Sequence, residues 1–269
     1  MPPAKVCPPE RLQKRALPAI RIRPDDVFIV SYPRSGNTWV RFLIANLLAP
    51  DEKITFRNIE NYVPSIYKSA DTLDTREGRR YIKSHNPCYE LYPKLIYVYR
   101  DGRDALVSYY YYATGKKVFS GTFEDFIFSP FVEQFTSWKE HITRAREFAS
   151  KYPDRILILR YEEMLIITLP ALTSISAFLG PGCDAQAIAE AATKNSFEHL
   201  QKVEQESGGE TLGKKFTFFR TGTSNQWRDH FVPQLYQQFL QQNEQTLRSL
   251  GYRILSGTYA LSEGHRSLI

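Results

Sequence analysis

Val27-Phe28-Ile29-Val30-Ser31-Tyr32-Pro33-Arg34-Ser35-Gly36-Asn37-Thr38-Trp39 joins an apolar run to a short polar turn and then to a helical pattern. The run over 26–31 has the near-continuous hydrophobicity of a strand buried on both faces. Behind the turn, Trp39, Val40, Phe42, Leu43 and Leu47 recur at helical spacing. The first N–H groups of a helix lack partners within it, so a strand feeding a helix through a tight turn offers them to an anion. Gly36 allows close backbone approach, Ser35 and Thr38 add hydroxyls, and Arg34 adds a permanent positive charge. The segment therefore reads as a phosphate loop, but without the GxxxxGK[ST] pattern that holds nucleoside triphosphates with Mg²⁺.

The rest of the chain supplies partners for that unit. Apolar runs over 80–83, 94–99 and 155–159 predict three more buried strands, and helical patterns cover 105–113, 131–150, 184–194 and 233–251. Strands alternating with helices predict an α/β fold, a mostly parallel central sheet flanked by helices. The chain has 269 residues, 42% hydrophobic and 24% charged, which excludes a collagen, a disordered chain and a disulfide scaffold. The net charge of +6 invites a nucleic-acid partner. Its position withdraws the invitation: within residues 1–24 six bases stand against one acid, leaving +1 for the remainder. Residues 1–24 are Pro-rich and lack the apolar core of a secretory signal, so they read as a basic arm ahead of one domain at 25–269. Cys7, Cys88 and Cys183 form no CxxC pair, and the odd count fits a reducing, cytoplasmic setting. The five histidines show no zinc-ligand spacing, so no metal is expected. Residues 164–183 carry no charge, but prolines, glycines and hydroxyls break the stretch; it reads as a largely buried helix, not a membrane span.

Tyr32-Pro33-Arg34-Ser35-Gly36-Asn37-Thr38-Trp39 resembles the Y-P-K-S-G-T-T-W signature of the cytosolic-type sulfotransferases. That family moves a sulfuryl group from 3′-phosphoadenosine 5′-phosphosulfate (PAPS) to a hydroxyl or amine. The resemblance implies its P-loop-like fold, a loop Arg34, Ser35, Gly36, Asn37 and Thr38 that grips the 5′-phosphosulfate, and Trp39 stacked on adenine. Other family segments follow in order. Ile82-Lys83-Ser84-His85 resembles the catalytic K-x-H at a strand end. Imidazole is suited to proton removal near neutral pH, which makes His85 the expected base, with Lys83 neutralising the sulfonate. Arg100-Asp101-Gly102-Arg103-Asp104 with Ser108 resembles R-[DN]-P-[KR]-D-x-x-x-S, implying Arg100 and Ser108 as 3′-phosphate ligands. Asp101 and Asp104 are expected to cap the helix that follows, and Gly102, in place of the family's Pro, to loosen the turn. Tyr161-Glu162-Glu163-Met164 resembles Y-E-[DE]-M, and Asn195-Ser196-Phe197 resembles T-S-F, implying Tyr161, Asn195 and Phe197 around the adenine. The segment 219–227 resembles F-R-K-G-x-x-G-x-W, implying Arg220 and the Gly222 backbone at the 3′-phosphate. Thr221 stands where Lys is common, and Asn225 replaces a second glycine, which a left-handed backbone tolerates.

The resemblance thus implies in-line transfer from PAPS, with adenosine 3′,5′-bisphosphate leaving and no metal required. Arg34, where the family has Lys, is read as a charge stabiliser and a poor proton donor. An ATP-dependent kinase is the rival enzyme reading, but the Walker lysine and a metal carboxylate are missing. A nucleic-acid-binding module needs cations spread over a folded face, which a +1 body does not provide. Expected partners are a small-molecule hydroxyl acceptor, no nucleic acid and no membrane span. The rings of 109–112 and of Phe119, Phe123, Phe126, Phe128 and Phe131 could line a phenol pocket, although aromatics mostly build core. The segment after Trp227 does not fit the family's dimer motif, which leaves the oligomeric state open.

Overall fold

A computed structural model of the chain describes residues 17–180, 184–210 and 217–255. Four strands, β1 (Val27–Val30), β2 (Tyr81–Ser84), β3 (Lys94–Tyr99) and β4 (Ile156–Arg160), form one sheet in the order β2-β1-β3-β4, with every pair parallel. The helices are α1 (Asn37–Leu48), α2 (Ile59–Tyr62), α3 (Ala70–Leu73), α4 (Gly102–Gly115), α5 (Phe123–Ile127), α6 (Trp138–Lys151), α7 (Tyr161–Ile166), α8 (Thr168–Leu179), α9 (Ala185–Lys194), α10 (Phe197–Ser207) and α11 (Pro233–Ser249). All four strands expected from hydrophobicity are present to within a residue.

Alternate strand residues serve opposite faces of the sheet, which explains the lack of polar positions in β1. Ile29, Ile96 and Val98 pack with α1, α8 and α9, whereas Phe28, Val30, Leu95 and Tyr97 pack with Ile142, Ala145 and Phe148 of α6. A third apolar cluster joins α4, α5 and α11 around Trp227 and Phe231. Connections leave β1 and β3 toward opposite edges of the sheet, so the crevice between their carboxyl ends is a topological switch point, where ligands of open α/β sheets bind. The loop after β1, the strand end at Lys83 and His85, and Arg100 after β3 all lie at that end of the sheet.

Two helical expectations are corrected. The helix expected over 131–150 is broken: a 3₁₀ turn covers Pro130–Glu133, Thr136 is left-handed (φ 74°), and Ser137 caps a helix that begins only at Trp138. A capping hydroxyl that accepts from Glu140 N competes with continuing the helix. The stretch expected as one largely buried helix over 164–183 is two helices, α7 and α8, meeting at Ile167. Ile166 and Ile167 are exposed there, because only a stripe through Met164, Leu172 and Ile175 reaches the core. Residues 181–183, with Cys183, lie outside the described residues, as do 1–16 with Cys7; Cys88 is a free thiol.

Residues 17–24, the end of the expected arm, run along the body: Leu17, Ile20 and Ile22 pack on the α6-side cluster. Arg80 clamps this run, donating to the Arg21 carbonyl and pairing with the buried Asp26 carboxylate at 2.6 Å. No helix among the described residues is long and apolar enough to cross a membrane.

Candidate active site

The phosphate loop is shaped by two left-handed residues, Arg34 (φ 64°) and Gly36 (φ 106°). A side chain at Gly36 would also meet the Tyr161 ring, 2.8 Å from the position of a Cβ. Glycine is therefore required there both by backbone and by space. The turn aims the start of α1 at a cavity of about 650 Å³ at the carboxyl ends of the strands. Asn37 does not reach into it with its amide donor; Nδ2 donates to the carbonyls of Ile29 and Ser84, tying β1 to β2 beneath the loop.

The K-x-H segment forms the second wall. Lys83 lies on the edge strand, locked by backbone bonds to Pro64 and Ile66, and is almost fully buried. Burial pushes its ammonium down to about 8, against the pull of Glu210. His85 follows at the strand end. Its Nδ1 lies 2.8 Å from the Ser31 carbonyl, and a carbonyl only accepts, so Nδ1 carries the proton and Nε2 the lone pair. The His85 N–H donates to the Tyr67 hydroxyl, and the Tyr67 ring stacks nearly parallel to the imidazole. Burial, with Lys83 nearby, holds the His85 pKa well below the ordinary imidazole value, so the ring is neutral at pH 7.

The third wall comes from β3, α4 and the closing segment. Arg100 donates to the Thr223 carbonyl and lies over the Tyr161 ring, 4.4 Å from its centroid. Arg34 Nε donates to Ser108 Oγ (3.2 Å) and its guanidinium sits 4.1 Å over Phe218. Arg220 rests on the Tyr111 ring and hydrogen-bonds Gln226. Asp101 caps α4 as expected, accepting from Arg103 N. Asp104 does something else: its buried carboxylate accepts from Asn225 N (2.6 Å) and Trp227 N (2.9 Å), pinning the closing segment to α4. Asn225 is left-handed (φ 66°), the condition under which it can replace glycine. At Gly102 the structure shows a further reason for glycine: a Cβ there would lie 2.5 Å from the Trp138 ring, whose Nε1 donates to the Arg100 carbonyl. The glycine makes room for the indole that holds Arg100 in place.

Lys83, His85, Arg34, Gly36, Asn37, Thr38, Trp39, Arg100, Ser108, Tyr161, Phe197, Arg220, Thr221 and Gly222 all border this one cavity. Two expected residues do not. Ser35 is buried with its hydroxyl unpartnered, and Asn195 is turned inward, bonding the Ala191 carbonyl. The Asn195 carbonyl instead accepts from Trp39 Nε1 (2.9 Å), so Asn195 orients the indole and does not touch the cavity. Thr221 spends its hydroxyl on Gln226.

The structure adds residues that sequence reading passed over. Glu210 lies in the wall with Oε2 at 2.8 Å from Lys116 Nζ and Oε1 at 3.9 Å from Lys83 Nζ. Burial raises the pKa of this carboxylate, but the two lysines outweigh it and hold the group ionised. No pattern around Ser207-Gly208-Gly209-Glu210 announces it. Lys116 caps the carboxyl end of α4, with its Nζ 4.5 Å from the centroid of the Tyr112 ring. Of the 109–112 aromatics, Tyr109, Tyr111 and Tyr112 border the cavity, whereas Tyr110 turns away to the Gly121 carbonyl. Phe131 borders it too, and Phe126 is core.

Among the described residues the wall carries six cations, Arg34, Lys68, Lys83, Arg100, Lys116 and Arg220, against one acid, Glu210. Arg100 Nε is buried with no partner. A multiply charged anion fits this donor set, and no group of His, Cys, Asp and Glu among the described residues is arranged to hold a metal ion.

Comparison with known proteins agrees with this architecture. Residues 24–251 match the family model for the sulfotransferase domain. Human Sulfotransferase 4A1 is 30% identical over 236 residues, covering 81% of this chain and 78% of that one. Mouse Sulfotransferase 1 family member D1 is 28% identical over 246 residues, covering 81% of each. Cytosolic sulfotransferase 17 of Arabidopsis thaliana is 26% identical over 252 residues, covering 80% of this chain and 72% of its own length. In fold, retinol dehydratase in complex with androsterone and the inactive cofactor PAP superposes with a TM-score of 0.68 at 22% identity, covering 87% of this chain and 84% of that one. Mouse sulfotransferase SULT7A1 complexed with PAP gives 0.64 at 22% identity, covering 87% of each. The chain belongs to the sulfotransferase family. It is a PAPS-dependent sulfotransferase with the P-loop-like fold expected from its motifs.

Proposed function

We propose that this cavity brings PAPS and a hydroxyl acceptor together for in-line sulfuryl transfer, with His85 as general base. The observation that carries the reading is the tautomer of His85. Its Nδ1–H is spent on the Ser31 carbonyl, so the proton-accepting Nε2 belongs to a ring that borders the cavity beside Lys83. A neutral imidazole with one fixed lone pair is the form a base requires. Lys83 would meet charge on the sulfonate, the N-terminus of α1 the 5′-phosphate, and Arg100, Ser108 and Arg220 the 3′-phosphate. Arg34, held against Ser108, lies toward the same phosphate side. Trp39, Tyr161 and Phe197 supply the aromatic faces for adenine. PAPS bound there supplies an activated sulfuryl group; the chain's own work is positioning and preorganised charge.

The acceptor side is aromatic: the Tyr67 and Phe135 rings flank His85, and Tyr109 and Phe131 line the same cavity with Lys68 and Lys116. A phenol or a hydrophobic alcohol suits it, and the similar folds that hold androsterone and retinol support an apolar alcohol. The cytoplasm is the proposed setting, in keeping with the cytosolic description of one relative.

Transfer from radiolabelled PAPS, with acceptors found by a mass-spectrometric screen for sulfated products, tests the reading. His85→Ala should lower turnover by about 10²–10⁴-fold while binding adenosine 3′,5′-bisphosphate as the parent does. Undiminished transfer removes His85 as the base.

A further inference from the structure

His141 is fully buried on α6, outside the cavity, and belongs to none of the motifs that define the site. Its Nε2 lies 3.0 Å from the His85 carbonyl. That oxygen only accepts, so Nε2 carries the proton and Nδ1 the lone pair. Two tyrosine hydroxyls reach Nδ1: Tyr97 at 2.9 Å and Tyr89 at 2.8 Å. Tyr89 also reaches the His141 carbonyl at 2.8 Å, so the two hydroxyls between them satisfy both Nδ1 and that oxygen. The Tyr97 and His141 rings also stack at 27°. The tautomer of His141 is thus set by the His85 carbonyl, and hydroxyls from outside α6 stand at the lone pair of Nδ1. Burial lowers the pKa of His141 to about 4, so the ring is neutral at pH 7.

His85 itself is tied at three points: its ring to Ser31 through Nδ1, its N–H to Tyr67, and its carbonyl to His141. The first two reach it from the loop after β1 and from the Tyr67 segment. The third is the only one from α6, a helix that packs on the opposite side from α1. We propose that His141 is a positioning residue for the reaction. Its Nε2–H holds the His85 main chain just beyond β2, so that the imidazole meets Ser31 with Nδ1 and offers Nε2 to the acceptor. This rests on His85 being the base, and a buried histidine serving stability alone would make the same bonds with different consequences.

His141→Phe keeps bulk and removes the donor, whereas His141→Gln keeps a donor at similar reach. Steady-state transfer with the screened acceptor should show kcat down about 10- to 100-fold in His141→Phe, because small misplacements of a catalytic group cost that much. KM for PAPS and the Kd for adenosine 3′,5′-bisphosphate should stay within about twofold, and His141→Gln should recover most of kcat. In a His85→Asn background, His141→Phe should cost nothing further. Parent-like kcat in His141→Phe, an equal loss in the His85→Asn background, or a parallel loss of nucleotide affinity overturns the proposal. Should His141→Phe fail to fold, His141→Met, which also lacks a donor, takes its place with the same expected and overturning results. Parent-like turnover in His85→Asn alone overturns the base reading instead. By NMR the His85 Nδ1–H should exchange slowly in the parent and in His141→Gln and rapidly in His141→Phe, a readout of positioning whichever group is the base; slow exchange in His141→Phe overturns the proposal.

Discussion

Arg34 occupies a left-handed backbone position and sends its guanidinium between Ser108 and the Phe218 ring. Burial lowers its pKa, yet a guanidinium remains charged throughout the accessible range. Its contribution is therefore fixed charge, and Arg34→Ala should lower turnover by about 10²-fold while Arg34→Lys keeps much of it. Equal, near-complete loss in both would sink the charge role. Lys83 behaves differently because its charge is titratable. The ammonium is present below about pH 8 and disappears above it. The free enzyme should then lose kcat/KM as pH rises through about 8, whereas kcat should hold to higher pH because bound anion favours the charged lysine. Lys83→Arg should abolish that alkaline limb; a pH–rate profile identical to the parent's would assign the limb to another group. At this scale the site was largely legible in the sequence, because Arg34, Lys83, His85 and Arg100 sit at strand ends whose apolar runs are unmistakable. Glu210 was not legible: its role depends on meeting Lys83 and Lys116, both far from it in the chain.

Between elements, single polar side chains hold the closing segment and the loop together. Asp104 on α4 accepts from the main chain at Asn225 and Trp227, and Glu204 on α10 accepts from Phe218 N and Phe219 N. Both carboxylates bring cavity residues to the sheet from a distant part of the sequence. Asp104→Ala leaves two N–H groups without acceptors, at about 1–3 kcal/mol for each one buried. A fall in Tm of roughly 4–10 °C and weaker binding of adenosine 3′,5′-bisphosphate should follow; calorimetry showing parent-like affinity would separate Asp104 from the site. The sequence placed Asp104 in the first turn of a helix but suggested a cap, since the reach of its side chain to 225–227 is a tertiary fact. Gly102 teaches the same lesson from the opposite direction. Its local reading concerned only the turn, and packing adds that a tryptophan from α6 fills the vacant side-chain space.

For the whole molecule, the charge balance is resolved by position. The +6 total is dominated by the first 24 residues, while among the described residues the wall of the cavity concentrates six cations around one acid. Adenosine 3′,5′-bisphosphate without magnesium should raise the Tm, by about 2.7 kcal/mol of stabilisation at a hundredfold excess over Kd, and Mg·ATP should not. The reverse ranking in a thermal-shift titration would restore the kinase reading. What the sequence determined by itself is local and periodic: four buried strands, the turn that aims a helix start at an anion, and the lysine–histidine pair at a strand end. Burial on both faces and unpaired helix N–H groups leave their mark on neighbouring residues, so no partner is needed to recognise them. Tertiary structure alone decided that Asn195 braces Trp39 from behind, that Glu210 stands between two lysines, and that His141 reaches the carbonyl of His85. Those roles depend on distances between segments that only packing brings together, and no spacing along the chain encodes them.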